Sequence, residues 1–278
     1  MGPGYGVVVA NEAETKRWNN EQWVAAWPKR ERLTEAVTPY LVKTADAQPG
    51  QRICDIGCGG GGLTIALAGA VAPGGDVVGV DLSSSLLDLA RSRAAEAGVT
   101  ANFVQADVQT GTIDGAPFDL AVSQFGVMFF DEPTAAFSAV RRAIVPGGRF
   151  VFACWQSVEA NPWHAGVSLR SLQPAPPVPP FGKSPVGPFA LGDDEYAREL
   201  LEGAGFGAVE STPYETTVRA PGDAVADRSL IPLMGIAPER ADEAAAVLDR
   251  HLARFEVGPD LYEFPLAFRV YVAANAPA

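Results

Sequence analysis

Ile53-Cys54-Asp55-Ile56-Gly57-Cys58-Gly59-Gly60-Gly61-Gly62 is the stretch that decides the fold. A short apolar run ends in a glycine loop, and the pattern then turns helical in GLTIALAGAV, residues 62–71. Glycines at a strand-to-helix turn permit positive φ and let a ligand approach the backbone, while the helix behind them presents unpaired N–H groups. The loop reads as a nucleotide cradle.

Downstream the same alternation repeats. Strand patterns at RICDIG (52–57), DVVGVDL (76–82), ANFVQADV (101–108), FDLAVSQF (118–125) and RFVFACW (149–155) are separated by helical patterns at 62–71, 85–98 and 133–145. Short Val/Ile/Phe-rich runs separated by amphipathic helices build βαβ units and a parallel sheet, so the fold class is α/β. Ser84 or Ser85 is placed to cap the second helix, Gly98 to end it, and Pro146-Gly147-Gly148 to turn the chain before the fifth strand. Residues 156–192 carry the tract PAPPVPPFGKSPVGP, which supports neither ladder nor helix and is read as a long loop. A helix follows at 193–205, a strand at 207–220, helices over about 222–256 and a final strand at 264–274. Upstream, Trp18, Trp23 and Trp27 precede a helical ERLTEAVTPYLVKTA. Three Trp so close together form either a packing seam or an aromatic cover over a ligand, and the two roles are compatible.

Composition narrows the function. Of 278 residues, 33 are acidic and 21 basic, giving a net charge of −12. No cationic cluster exists to attract nucleic acid or an anionic membrane. No run reaches the roughly 18 apolar residues of a membrane span, and the first residues lack the basic and apolar regions of a signal peptide, so the expected location is cytoplasmic. Cys54, Cys58 and Cys154 have no C-x-x-C spacing and no histidines at ligand intervals, so neither a disulfide framework nor a metal site is expected.

Gly57, Gly59 and Gly62 also satisfy G-x-G-x-x-G, so a nicotinamide or flavin enzyme has to be weighed. Asp81, at the end of the second strand, suits a ribose diol in either case. Asp55 discriminates: a carboxylate beneath the loop is unfavourable beside a pyrophosphate and favourable beside a cationic amino-acid ligand. S-adenosylmethionine carries a sulfonium and an ammonium and no phosphate.

The loop CDIGCGGG, the strand end GVDLS, the segment FVQADV, the strand FDLAVSQFGVMFF and the turn and strand PGGRFVFACW, in that order across about residues 50–156, resemble the class I S-adenosylmethionine-dependent methyltransferases. The likeness is to their small-molecule group, which includes the ubiquinone/menaquinone-type C-methyltransferases and natural-product enzymes. The resemblance implies a Rossmann-like doubly wound sheet of seven strands with the last antiparallel, supplied by 207–220 and 264–274. It implies S-adenosylmethionine as cofactor, with Asp55, Gly57, Gly59 and Gly61 against its methionine part and Asp81 on the ribose. Leu82 would then pack on adenine, Asp107 accept from the adenine amine, and the Val108 N–H approach the ring. Ser123 and Phe125 end the fourth strand at the carboxyl edge, where ligands of open α/β sheets bind. The chain then divides into an N-terminal helical lid (1–48) and a Rossmann-like methyltransferase domain (49–278) with the Pro-rich loop and a helical cap insertion at about 222–256.

Only two histidines are present. His164, just beyond the fifth strand, is the candidate catalytic base or acceptor-orienting group, whereas His251 in DRHLARFE reads as structural or solvent-facing. There is no G-x-S-x-G elbow, no H-E-x-x-H helix, and no Lys in the glycine loop for a Walker-type phosphate site. SQFG replaces the N/D-P-P-Y/F tetrapeptide of amino-methylating nucleic-acid and protein enzymes. The expected activity is methyl transfer to O, N or C of an apolar or aromatic small-molecule acceptor. The alternatives are a non-methylating S-adenosylmethionine-binding protein, such as a sulfonium-assisted cyclase, and an NAD(P)-dependent oxidoreductase. The sequence identifies neither the acceptor nor the state of homo-oligomerisation.

Overall fold

The computed structural model describes residues 12–173 and 186–276. The helices α1 (Glu12–Trp18), α2 (Glu21–Thr34) and α3 (Thr38–Ala45) lead into strand β1 (Arg52–Ile56), helix α4 (Gly62–Val71), β2 (Asp76–Asp81), α5 (Ser84–Glu96), β3 (Asn102–Gln105) and β4 (Phe118–Gln124). Then come α6 (Pro133–Ala143), β5 (Ile144–Trp155), the single turn α7 (Gly166–Leu169), α8 (Asp194–Gly203), β6 (Gly207–Ala220), α9 (Ala241–Leu252), β7 (Glu256–Gly258) and β8 (Leu261–Ala274).

The strands lie in the order β3-β2-β1-β4-β5-β8-β6, with β7 pairing on β8. β1 to β5 are parallel, and β8 runs antiparallel to both its neighbours β5 and β6. This is the Rossmann-like α/β sheet with an antiparallel last strand, enlarged to eight strands by the three-residue β7. Helices cover both faces, so the central strands are apolar throughout: four of the five residues of β1 and four of the six of β2 are buried. An aromatic stack of Phe137, Phe150, Phe152 and Tyr271 fills one face, with Phe152 and Tyr271 stacked at 4.9 Å. Truncating Phe152 to Ala would cost about 3–5 kcal/mol.

Several boundaries differ from those the sequence suggests. The cap of α5 is Ser83, whose hydroxyl accepts from the Leu86 N–H at 3.2 Å, not Ser84 or Ser85. β5 begins at Ile144 and carries the Pro-Gly-Gly turn within its first residues, with Gly147 at φ 86° and its N–H bonded to the Asn275 carbonyl. The helix expected up to Ala45 is broken by a 3-10 turn at Glu35–Val37. The 222–256 segment holds one α-helix, α9, preceded by 3-10 turns at Gly222–Ala224, Arg228–Met234 and Pro238–Arg240, because Pro232 and Pro238 remove backbone donors there. Most of the proline tract expected to be a loop, residues 174–185, lies outside the described residues.

β1 pairs with β2 on one side and β4 on the other, so the chain leaves the sheet in opposite directions at its centre. A crevice opens there at the carboxyl ends of the strands. α2 crosses this edge. Gln124, the last residue of β4, holds the helix junction in place: its Nε2 donates to the Thr34 carbonyl at 2.9 Å, and the Thr38 hydroxyl donates to its Oε1 at 2.9 Å. An ion pair between Glu31 and Arg93 ties α2 to α5.

Candidate active site

The glycine loop is held by its own backbone. Gly57 N–H donates to the Val80 carbonyl at 2.8 Å, and Gly59 N–H donates to Asp81 Oδ2 at 2.8 Å. Gly57 has φ 67°, and a Cβ there would lie 2.8 Å from Gly126 Cα, so only glycine fits between the ends of β1 and β4. The space beside Gly59 is filled by the Trp27 indole, which any side chain at 59 would overlap.

Three carboxylates follow one another along the edge. Asp55 is fully buried and is among the residues lining the cavity; its Oδ2 accepts from the Thr64 hydroxyl at 2.6 Å, and its Oδ1 is buried without a hydrogen-bond partner. Burial raises its pKa to about 7, an effect only partly offset by the Thr64 hydrogen bond. Asp81 accepts from Gly59 N–H and, through Oδ1, from Ser83 N–H at 2.8 Å. Burial raises its pKa as well, against the lowering effect of those amides. Each of its oxygens keeps a second lone pair for a ligand hydroxyl. Asp107 Oδ1 accepts from the backbone N–H of Gln109 at 3.0 Å and from its side-chain amide at 3.2 Å.

Beyond the carboxylates the walls turn aromatic. Phe125 stacks on Trp155 with ring centroids 4.0 Å apart; Trp155 meets Trp163 edge-on at 5.2 Å, and His164 meets Phe189 at 4.9 Å. Phe125 sits at φ 63°, a left-handed conformation rare for a bulky residue and found where a site over-determines the backbone. Burial first, and the charge of Arg30 next, push the His164 pKa down to about 4, so its imidazole is neutral at physiological pH. Its Nδ1 is buried and unpartnered. Trp18 and Trp27 close the side opposite the sheet, with Trp18 edge-on to Phe129 at 5.0 Å. Together these groups enclose a cavity of about 840 Å³, towards the upper end of the roughly 300–1,000 Å³ usual for small-molecule sites.

Of the residues singled out in the sequence, Asp55, Gly57, Asp81, Leu82, Asp107, Val108, Phe125 and His164 line this one cavity. Gly59, Gly61 and Ser123 do not. Gly59 lies under Trp27, and the Cα hydrogen side of Gly61 faces Ala90 of α5. The Ser123 hydroxyl donates to the Ile56 carbonyl at 2.6 Å, which ties β4 to the end of β1. Gln124 reaches the cavity instead. His251 is structural: its Nε2 donates to the Trp163 carbonyl at 2.8 Å, which fixes the tautomer, and its Nδ1 accepts from the Ser168 hydroxyl at 3.1 Å. It thereby positions the turn that bears Trp163 and His164. Sequence reasoning missed Arg30, Glu31 and Thr34, which line the cavity from α2. Their spacing from Trp23 and Trp27 marks one helical face and was the available signal. No cluster of His, Cys, Asp or Glu suited to a metal ion occurs among the described residues.

Residues 53–148 match the family model described as a methyltransferase domain. An uncharacterised protein of Mycobacterium tuberculosis (strain ATCC 25618 / H37Rv) is 30% identical over 172 residues, covering 62% of this chain and 59% of the relative. A ubiquinone/menaquinone biosynthesis C-methyltransferase of Ectopseudomonas mendocina is 33% identical over 114 residues, 40% of this chain and 44% of that one. The matched stretches thus span about half the length of these relatives. Among solved structures, a putative methyltransferase from Bacillus halodurans superposes with a TM-score of 0.61 at 18% identity, covering 87% of this chain and all (100%) of the other. That likeness is one of fold.

Proposed function

We propose that this chain, whose residues 53–148 match a methyltransferase domain, transfers a methyl group from S-adenosylmethionine to a small apolar or aromatic acceptor. The observation that carries the reading is Asp55 Oδ1: a buried carboxylate oxygen without a hydrogen-bond partner, on a residue that lines the cavity beside the glycine loop. Burial without a partner is costly, and an ammonium group on the ligand would relieve it. A dinucleotide would bring pyrophosphate charge to the same oxygen, which argues against the nicotinamide alternative.

S-adenosylmethionine supplies a methyl group on a sulfonium leaving group, already activated for in-line displacement. The protein's part is binding, alignment and exclusion of water. Asp55 accepts from the ligand's amino group, Asp81 accepts from the ribose hydroxyls, and Leu82 and Val108 contribute apolar surface for the base beside Asp107. Phe125, Trp155 and Trp163 form the aromatic wall for the acceptor. Neutral His164 offers Nδ1 as a hydrogen-bond acceptor that orients an acceptor hydroxyl or amine; with a pKa of about 4 it is a weak base.

Of the N-terminal lid at 1–48, residues 1–11 lie outside the described residues; residues 12–48 act as a lid in this reading, supported by Trp18 and Trp27 lining the cavity and by the Lys29–Asp223 ion pair at 2.8 Å, which joins α2 to the 222–256 cap. No described helix is long and apolar enough to cross a membrane, and we read the protein as cytoplasmic, acting on a dissolved metabolite without nucleic acid. Titration calorimetry with S-adenosylhomocysteine, followed by incubation with methyl-labelled S-adenosylmethionine and candidate acceptors, tests the assignment. Binding with label transfer supports it, and absence of binding removes it.

A further inference from the structure

Arg30 is a cation of this cavity with no ion-pair partner among the described residues. It lies on α2 between Lys29, paired with Asp223 at 2.8 Å, and Glu31, paired with Arg93. Among the described residues its guanidinium makes no hydrogen bond and no ion pair. Its one close contact is the face of Trp23, 4.8 Å from the ring centroid. Yet it lines the cavity and is close enough to His164 for its charge to depress the imidazole. The other charges that act on it are Asp227, which favours its cationic form, and Arg17, which opposes it. Burial weakens its hold on its proton, down to a pKa of about 10, so it remains charged at physiological pH.

A guanidinium brings five N–H donors in a rigid fork, and leaving them unmet against aromatic walls is unfavourable. Cation–π contact with Trp23 satisfies the face of the group and leaves its edge free. None of the acidic residues lining the cavity pairs with Arg30, Glu35 just beyond the end of α2 included. Asp81 is held by two backbone amides, Asp107 by Gln109, Glu31 by Arg93, and Asp55 lies beneath the glycine loop. Arg30 and Asp55 thus bring opposite charges to the lining of one cavity: a carboxylate that calls for a cationic ligand and a guanidinium that calls for an anionic one.

We propose that Arg30 is the anion-binding residue of the acceptor subsite, and that the acceptor is an apolar or aromatic monocarboxylate whose carboxylate is held by the guanidinium while its body packs on the Trp155 and Trp163 wall. This deepens the methyltransferase reading and rests on it for the word acceptor. A single cation suits a monoanion, and a carboxylate matches the planar fork by two parallel hydrogen bonds. A phosphate, doubly charged, would face one unpaired cation, with Arg93 already held by Glu31, and several carboxylates in the same enclosure.

The test is calorimetry on the full chain with benzoate, cinnamate and 2-naphthoate, each beside its neutral amide. At least one acid should bind, and bind about tenfold or more tightly than its amide, the preference expected of a charge-assisted bidentate pair. Arg30→Met should abolish the preference, Arg30→Lys should retain part of it, and Arg30→Gln stands in if the Met variant does not fold. Acids that bind no better than amides, a preference that survives in Arg30→Met or Arg30→Gln, or no acid binding at all would each overturn the proposal. S-adenosylhomocysteine is titrated into the same samples. Its binding without any acid preference strikes the Arg30 inference alone, whereas its failure to bind strikes the methyltransferase reading and leaves the acid-over-amide comparison intact.

Discussion

Replacing Asp55 by Asn removes a charge from the sheet centre with little change of shape, and it should move stability and ligand binding in opposite directions. In the fold this carboxyl is pushed from 3.8 to about 7 by burial, which the Thr64 hydrogen bonds offset only in part and to which the neighbouring Asp81 charge adds. A carboxyl whose folded pKa is raised prefers its proton in the native state. Its contribution to stability is therefore full below pH 3.8, declines as pH rises towards 7, and is gone above that value. The whole displacement corresponds to about 4 kcal/mol. At pH 8 the ligand-free Asp55→Asn variant should thus be more stable than the wild type by up to about 4 kcal/mol, with the difference closing as pH falls to 4. Binding should run the other way. Loss of a charge-assisted hydrogen bond to the ligand's ammonium costs about 1.5–3 kcal/mol, or roughly ten- to a hundredfold in affinity at pH 8. Wild-type affinity should also fall with pH below 7, as the carboxyl takes up its proton, while the variant shows no such slope. Thermal unfolding and calorimetry at pH 5, 6, 7 and 8 read both arms. A variant that binds S-adenosylhomocysteine as well as the wild type, or that keeps the wild-type pH slope, would refute the role given to Asp55.

Asp81→Ala should weaken S-adenosylhomocysteine by about tenfold or more, and because the Gly59 and Ser83 amides lose their acceptor it should also cost about 1–3 kcal/mol of stability in urea unfolding. Gly59→Val should fail through Trp27, not through the ligand: at φ 52° a β-branched side chain is strained and overlaps the indole, so the melting temperature drops and a second change, Trp27→Ala, recovers part of it. His164→Ala should lower turnover about tenfold while leaving S-adenosylhomocysteine affinity within about twofold, the effect of losing one hydrogen-bond acceptor at the acceptor end. The wild-type pH–rate profile should carry no inflection near 6.5 from this residue, since its pKa is about 4. Deleting residues 1–28 should impair both cofactor retention and acceptor methylation, measured by calorimetry and label transfer.

The parallel core was legible because each of its signals is local. A glycine loop at a strand end, an acidic residue closing the next strand and helical periods between apolar runs are each written within a single element or turn. Asp55, Asp81 and Asp107 could be found for the same reason. What escaped depends on directions and distant partners. Ser123 has the residue type of a ligand contact, but its hydroxyl is taken by Ile56, a pairing set by sheet register. Gly61 belongs to the loop motif yet faces Ala90 of α5. Arg30 was not singled out, since its place in the cavity depends on α2 crossing the carboxyl edge, which the sequence does not show. The cap region was read as helical over about 222–256, whereas Pro232 and Pro238 leave 3-10 turns ahead of the one α-helix, α9. The short β7 was invisible because three residues carry no period.

The central claim is that the glycine loop and Asp55 form a site for a cationic, phosphate-free nucleoside ligand. Parallel calorimetric titrations of the wild-type chain with S-adenosylmethionine and with NADH and NADPH test it most directly. Saturable one-to-one binding of S-adenosylmethionine with no detectable heat from either nicotinamide cofactor is expected; saturable binding of NADH or NADPH with none of S-adenosylmethionine would overturn the assignment.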